Sequence, residues 1–200
     1  MSNCLEQALR KRRSYYQLDR DIPIDEERIV DFVRETVRNV PSAFNSQSSR
    51  LVLLLGDSHS RFWQAVCDSI KKIVPDDTFR KSEEKIRRAF ASGYGTVLFY
   101  EDESVVHKME SEYPLYAKDF PVYSQHTSAM HQMVLWTLLC DAGLGASLQH
   151  YEALVEADCR RMFSHPDEWR LVAQMPFGRP LDVPGEKSEV PLDERIRILR

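Results

Sequence analysis

The stretch PSAFNSQSSRLVLLLG, Pro41 to Gly56, joins two opposite kinds of sequence. Its first part, PSAFNSQSSR, is rich in serine, asparagine and glutamine, and Pro41 prevents it from continuing a preceding helix. Its second part, RLVLLLG, is a continuous apolar run closed by a glycine, which is typical of a strand buried on both faces of a sheet. We therefore predict a buried strand with a polar loop at its mouth.

The rest of the chain alternates further apolar runs with helical patterns. GTVLFYED, residues 95–102, and EWRLVAQMPFG, residues 168–178, predict two more buried strands, and the tail ends in an alternating, strand-like stretch. Helical spacing of apolar residues covers seven segments: 4–14, 24–40, 60–74, 77–93, 103–120 with a break at Pro114, 124–143 and 151–164. This order predicts one α+β or α/β domain over residues 1–200. A sheet of three strands is small for this length, so we expect a homodimer that completes its core.

Charge patterning narrows the range of ligands. Asp and Glu number 31 against 27 Lys and Arg, a formal net charge of −4, yet KRRSYYQL, Lys11 to Leu18, is locally basic. A nucleic-acid-binding protein usually has the reverse balance, so the cluster favours a small anionic ligand over a polynucleotide. We predict no signal peptide, no membrane partner and no metal-ligand spacing among the scattered cysteines, and hence a soluble cytoplasmic protein with free thiols.

Familiar catalytic motifs are missing from the sequence. It contains no P-loop, no HExxH and no G-x-S-x-G, and Gly143-Leu144-Gly145 follows a helix rather than a strand, as a helix C-cap would. His126 and His131 are five residues apart and point to different helix faces, which disfavours a shared metal.

Polar segments remain as candidates for binding. PSAFNSQSSR, SLQHY (147–151) and PGEKSE (184–189) are rich in hydrogen-bonding groups, and amides offer the donor and acceptor pairs that the edge of a flavin or a base requires. The simpler interpretation of the first segment is a Ser/Asn loop that satisfies its own backbone.

Four of these pieces, in this order, carry a family resemblance. The RRS cluster, PSAFNSQSSR, GYGTVLFYED with GLGASLQHY, and PGEK resemble the nitroreductase superfamily, and most closely its short fatty-acid-repression-mutant-like branch. The resemblance implies a small central sheet surrounded by helices in an intertwined homodimer with FMN at the subunit interface. It also implies that NAD(P)H reduces the flavin, which then reduces a nitroaromatic, quinone or related small-molecule acceptor by a ping-pong route.

The resemblance also implies a cofactor site made of separate segments. One wall would hold the phosphate, the ribityl chain and one flavin edge, and a second would come from the other subunit. A third would lie along the reactive edge of the ring. The first wall would consist of Arg12, Arg13 and Ser14, the second of Ser42, Ala43, Asn45 and Gln47, and the third of Leu148, Gln149 and His150. Lys187 would pair with the phosphate. No catalytic side chain is expected, because the cofactor carries the chemistry.

One position departs from the family pattern. Many members have a basic residue two positions after the motif serine, and this chain has Tyr16 there. Either another cation, with Lys85 or Arg88 as candidates, takes its place, or the reduced flavin is less stabilised and its potential is lower.

Other readings stay open at this point. A flavin-binding module with a sensing or storage role would use the same site without turnover, and a module for nucleic acid or an acidic partner would use only the basic cluster. The sequence does not separate NADH from NADPH. Several aromatic residues are candidates for the acceptor pocket: Phe44, Tyr94, Tyr116, Phe120 and Tyr123.

Overall fold

The computed structural model describes residues 4–200, with side chains from Leu5 onward. Within this range the chain forms eight α-helices: α1 (Cys4–Lys11), α2 (Glu26–Asn39), α3 (Gly56–Lys71), α4 (Asp76–Ala89), α5 (Glu103–Glu112), α6 (Phe120–Asp141), α7 (Glu152–Phe163) and α8 (Leu192–Arg195). The same range contains five strands: β1 (Leu18–Asp19), β2 (Ser49–Leu55), β3 (Gly95–Asp102), β4 (Gly145–Ala146) and β5 (Trp169–Pro180). Two short 3₁₀ segments, Ala43–Asn45 and Pro114–Asp119, precede β2 and α6.

The strands form one antiparallel sheet in the order β1-β5-β3-β2, and β4 pairs with β5 beside this row. β3 lies at the centre and is buried along its whole length. Its side chains alternate between the two faces, as a strand requires. Val97 and Phe99 pack with α2 and α6, whereas Leu98 and Tyr100 pack with α3, α4 and α7. Helices therefore cover both faces, and the α+β prediction is confirmed.

β2 differs from its prediction. Its side chains between Arg50 and Leu53 are only partly buried, because β2 is the last strand of the sheet and pairs with β3 alone. A run of leucine and valine on an edge strand leaves apolar surface that burial inside this chain does not explain.

The long helices and the two long inner strands begin and end close to the predicted positions, and two tight-turn details are also confirmed. The segment 103–120 breaks at Pro114, and Gly143 follows α6 with a φ of +83°, the left-handed geometry of a helix C-cap. Asp25 stands at the N-cap of α2, but its side chain makes no capping hydrogen bond.

Three features were missed or mispredicted. The tail does not form a strand: one short turn, α8, is followed by exposed extended chain. β1 and β4, two residues each, had not been predicted. Such short strands carry no periodicity of their own and exist only because β5 offers them hydrogen bonds.

α6 is the longest described helix and leaves an apolar outer surface. Met130, Met133 and Val134 are exposed beside Val40 and Pro41 at the end of α2, around an apolar hollow of about 270 Å³. We call this surface the α2–α6 face. None of the helices in residues 4–200 combines the length and hydropathy needed to cross a bilayer.

Candidate functional site

The basic cluster directly follows α1, in a segment fastened to the sheet. Ser14 forms a parallel bridge with Ala146 of β4, and the Tyr15 N–H donates to the Ala146 carbonyl at 3.0 Å. Backbone pairing therefore holds Ser14 and Tyr15 against β4, while the Arg12 N–H still donates to the Ala8 carbonyl of α1 at 3.0 Å.

One wall of the predicted site is assembled here. A cleft of about 450 Å³, which we call the cationic cleft, lies between residues 12–16 and the tail; among its lining residues are Arg12, Arg13, Ser14, Tyr16 and Lys187. The Arg13 guanidinium donates to the Gly185 carbonyl at 2.6 Å, which fastens the tail across the cleft. The predicted proximity of Lys187 to the arginines, separated by more than 170 residues of sequence, is therefore present.

The arginines of this cleft are available to an anion. Among the described residues, neither Arg12 nor Arg13 forms an ion pair, and the Arg12 guanidinium lies over the Trp136 ring at 4.4 Å from its centroid. A guanidinium stacked on an indole is held in place while its N–H donors stay free. This donor set fits a phosphate.

A second cleft of about 400 Å³ continues from the first. Tyr16 and Asp182 line both clefts, and the basic side of α4 supplies Lys81, Lys85 and Arg88 to the second, which we call the α4 cleft. Arg88 is paired with Glu84 at 3.3 Å, whereas Lys85 has no such carboxylate partner within the described residues. The two cations considered as substitutes for one at position 16 thus lie in the same cleft as Tyr16.

Asp182 lines both clefts and is absent from the site residues predicted from the sequence. Its carboxylate lies at the junction of the two clefts, and its Oδ1 is enclosed without a hydrogen-bond partner in residues 4–200. A ligand with hydroxyl or N–H donors would satisfy such a group. No sequence signal pointed to it, since a lone Asp in a proline-containing tail resembles any turn residue.

The polar loop before β2 lies apart from both clefts of the same chain. Phe44, Asn45 and Gln47 have φ values of 55°, 53° and 51°, a left-handed geometry that costs a residue with a side chain roughly 1–2 kcal/mol. The Gln47 N–H donates to the Ser42 hydroxyl at 2.9 Å and closes the loop on itself. Ser42, Ala43, Asn45 and Gln47 line neither cleft of this chain.

The third predicted wall, Leu148 to His150, also lies outside the linings of the two clefts. The backbone of Gln149 exchanges hydrogen bonds with Gln174 of β5 at 2.8 and 2.9 Å, and Gln174 Oε1 accepts from Tyr151 N–H at 2.7 Å. The resemblance places Gln149 along the reactive edge of the flavin, but its backbone N–H and carbonyl are already paired with the sheet. Its neighbours Leu148 and His150 remain the residues of this wall with backbone groups to offer.

Comparison with known proteins identifies the family of this chain. The sequence model of the nitroreductase family matches residues 9–179. The chain belongs to the nitroreductase family. It is therefore an oxidoreductase, and the family match covers every predicted site residue except Lys187.

Individual relatives place this nitroreductase more closely. It is 34% identical over 183 residues to nitroreductase FRM2 of Saccharomyces cerevisiae, covering 90% of each chain. The structure of nitroreductase CinD from Lactococcus lactis in complex with chloramphenicol matches with a TM-score of 0.89, 34% identity and coverage of 98% of this chain and 99% of CinD. A nitroreductase with bound FMN from Desulfitobacterium hafniense shares only 12% identity at a TM-score of 0.72, which shows the common fold.

The described cysteines of this nitroreductase are free thiols: Cys67, Cys140 and Cys159. Cys140 lies near the cationic cleft, where burial raises its pKa although the Arg12 charge and the Arg13 backbone N–H act in the opposite direction. Burial also raises the pKa of Cys159, to about 12. Protonated thiols are poor nucleophiles, so these two described cysteines are poorly suited to covalent chemistry.

Proposed function

We propose that the protein is a cytoplasmic, homodimeric NAD(P)H oxidoreductase that binds FMN and reduces nitroaromatic, quinone or related acceptors by a ping-pong route. The observation that carries this proposal is the pair of joined clefts. They combine unpaired arginines, a tail lysine and an unsatisfied acceptor at their junction.

The donor set fits FMN part by part. Arg12, Arg13 and Lys187 surround a space suited to a phosphate, because guanidinium groups give paired, charge-assisted hydrogen bonds. Asp182 offers an acceptor to hydroxyl groups such as those of a ribityl chain. Tyr16 and Lys85 line the α4 cleft, where a phenol and a cation would stabilise negative charge on a bound ring.

When bound, FMN would supply the hydride chemistry, and the protein would supply position and electrostatics. Ser14 and Tyr15 are fastened to β4, so the adjoining arginines would hold the phosphate end at a constant distance from the sheet. The side chains that line the clefts would then orient the cofactor rather than take part in covalent steps.

A second subunit would complete the site. The loop 42–47 exposes its polar groups away from the clefts of its own chain, while β2 and the α2–α6 face leave apolar surface uncovered. Both observations support a homodimer in which Ser42, Ala43, Asn45 and Gln47 contact the flavin of the partner. Leu148 and His150 would then border the reactive edge of the ring.

An aromatic cluster is the best candidate for the acceptor side. Phe44 of the loop contacts Tyr113, Tyr116 and Phe120 at centroid distances of 4.8, 5.6 and 5.3 Å, and Phe44 is 49% exposed. Exposed rings of this kind suit a flat aromatic acceptor. The CinD complexes with chloramphenicol and 4-nitrophenol, at 34% and 33% identity, support a nitroaromatic acceptor for this chain as well.

The decisive experiment begins with the colour of the purified protein. We expect a yellow protein that releases FMN, loses its absorbance with NADPH or NADH without oxygen, and regains it when 4-nitrophenol or a quinone is added. Bleaching without recovery by any acceptor would favour a sensing or storage role. A colourless protein that does not take up added FMN would overturn the proposal.

Replacement of Arg12 tests the phosphate assignment. Arg12→Ala should weaken FMN binding by about 2 kcal/mol, because a charge-assisted contact and its stacked support are both lost. Riboflavin, which has no phosphate, should bind both proteins almost equally. Arg10→Ala, an exposed arginine on α1, is the matched control, and equal FMN affinity for all three proteins would contradict the assignment.

A further inference from the structure

A buried carboxylate joins three elements behind the polar loop. Glu101, near the end of β3, has no solvent exposure and lies opposite Ser49 in the β2–β3 register. Its Oε2 accepts from the Ser48 hydroxyl at 2.5 Å and from Ser124 of α6 at 2.9 Å, and its Oε1 accepts from Ser49 at 2.5 Å.

The placement of this carboxylate is unusual for a structural acid. Glu101 forms no ion pair within residues 4–200, and the neighbouring Arg50 pairs instead with Asp102 at 3.0 Å. A buried carboxylate is tolerated only when hydrogen bonds replace its water, and here three serine hydroxyls do so. Two of these serines directly follow the strained loop.

Other contacts also hold the loop. The Asn45 and Ser46 N–H groups donate to the Ser42 and Ala43 carbonyls at 3.0 and 3.1 Å, and the Phe44 ring packs against the aromatic cluster. Inside the loop, the Gln47 N–H bonds to Ser42 Oγ, and at its end Arg50 donates to the Gln47 carbonyl at 2.7 Å. Phe44, Asn45 and Gln47 are bulky or polar residues in a geometry that a free chain would leave. Such a geometry persists only when the surrounding structure determines it, and Glu101 fastens the two residues that come next.

We propose that Glu101 is a positioning residue for the cofactor: through Ser48 and Ser49 it holds loop 42–47 in the conformation that contacts the flavin. The inference rests on the proposed function, since it assigns the loop to the FMN site. Glu101 does not touch the cofactor and acts only through the serines.

The first measurement uses flavin-free protein and hydrogen exchange of the backbone amides. In Glu101→Gln, and separately in the double variant Ser48→Ala/Ser49→Ala, we expect faster exchange confined to residues 44–47. The double variant keeps the test decisive if Glu101→Gln folds poorly. Ser69→Ala is the matched control, because Ser69 is also buried and its hydroxyl also donates to a carboxylate, that of Asp158 at 3.4 Å, far from the loop.

The second measurement is the FMN dissociation constant of the same proteins. We expect an increase of about tenfold in the Glu101 and Ser48/Ser49 variants, and no change in the control. The triple variant, which combines Glu101→Gln with Ser48→Ala and Ser49→Ala, should bind FMN no more weakly than the double serine variant, because Glu101 acts through the two serines. If Glu101 only stabilised the whole fold, the substitutions would lower the melting temperature. Exchange would then not rise specifically in the loop, and the effects on FMN affinity would not be non-additive.

The outcomes separate the two proposals. Unchanged exchange in the loop would overturn the role of Glu101, whatever happens to the flavin. Faster exchange with unchanged FMN affinity would also overturn it, while leaving the FMN proposal intact. If the unsubstituted protein fails to bind FMN, the proposed function falls and the cofactor part of this inference falls with it, although exchange still shows whether Glu101 holds the loop.

Discussion

In the proposed FMN site, Tyr16 is the residue on which the electronic tuning of the flavin would depend. It is 49% exposed, lines both clefts and stands where many family members have a cation. Lys85 and Arg88 share the α4 cleft with it, but Arg88 is already paired with Glu84. Lys81 and Lys85, which line the same cleft and form no ion pair within the described residues, are therefore the cations available to compensate.

Tyr16→Lys should raise the midpoint potential of bound FMN. A positive charge beside the ring stabilises the reduced, more negative flavin, and an added stabilisation of about 1.4 kcal/mol corresponds to roughly 30 mV for two electrons. A redox titration of the variant against the unsubstituted protein measures the shift. Gln17→Lys adds the same charge to the same cleft one residue further on, and an equal shift there would argue against a special role for position 16.

His59 governs part of the pH dependence of stability. It is almost fully buried, with its ring nitrogens within hydrogen-bonding distance of Thr96 Oγ1 and the Ala91 carbonyl, and burial lowers its pKa from 6.5 to about 4. Between these pH values His59 is therefore protonated in the unfolded chain and neutral in the folded chain.

The free energy of unfolding should consequently fall as the pH drops from 6.5 to 4. The contribution is fully present above pH 6.5, and the shift corresponds to about 3 kcal/mol. His59→Gln should lack this component. Urea unfolding at pH 7 and pH 4 gives the free energy of unfolding of both proteins. The loss between pH 7 and pH 4 should be larger in the unsubstituted protein, and an equal loss in both would contradict the assignment.

At the scale of elements, β4 determines where the basic segment lies. Gly145 is in contact with the chain beside it: an added Cβ would lie 2.9 Å from the Cβ and Cγ of Tyr15 and 3.1 Å from Pro180. The absence of a side chain there lets residues 14–15 approach β4 closely enough to form their backbone hydrogen bonds.

Gly145→Ala should therefore weaken FMN binding more than it destabilises the fold. The methyl group pushes Tyr15 away from β4 and shifts Arg12 to Ser14, so we expect an increase in Kd of about tenfold. Gly95→Ala is the control, because an added Cβ there also meets neighbouring side chains, at 2.7 Å from Leu55 and Phe177, but Gly95 lines neither cleft. Fluorescence titration with FMN measures both, and tight binding by Gly145→Ala would show that the segment adapts.

At the scale of the whole molecule, the exposed apolar surfaces require an explanation. The α2–α6 face and the half-buried leucines of β2 are groups of apolar residues rather than single exposed ones. Apolar patches of this kind usually mark an interface. The proposed homodimer would cover them and bring loop 42–47 to the clefts of the partner.

Met133→Glu should separate the subunits and remove the flavin with them. A charge placed in the apolar α2–α6 face must be desolvated for association, which costs several kcal/mol. Sedimentation should show a monomer, and the FMN content should fall. Ile73→Glu, which charges an even more exposed apolar residue outside this face, is the control. A dimer that persists in Met133→Glu would move the interface to another surface.

The sequence predicted the site unevenly, and particular residues show why. Arg12, Arg13, Ser14 and Tyr16 are adjacent in the chain, so their motif was recognisable and their shared cleft followed. Asp182 and Glu101 carry no such local signal. Asp182 stands out because its Oδ1 has no hydrogen-bond partner among the described residues. Glu101 stands out because serines from distant parts of the chain donate to it.

By itself the sequence determined the family, the helices, the central strands and the resemblance of the polar segments to a cofactor site, because periodicity and short motifs are local properties. Only the tertiary structure decided that β2 is an edge strand, that two-residue strands hold the basic segment, and that the Gln149 amide is already paired. These facts depend on which backbone groups meet across the sheet. Hydrogen bonds between distant segments leave no pattern in either segment alone, so the folded chain is needed to show them.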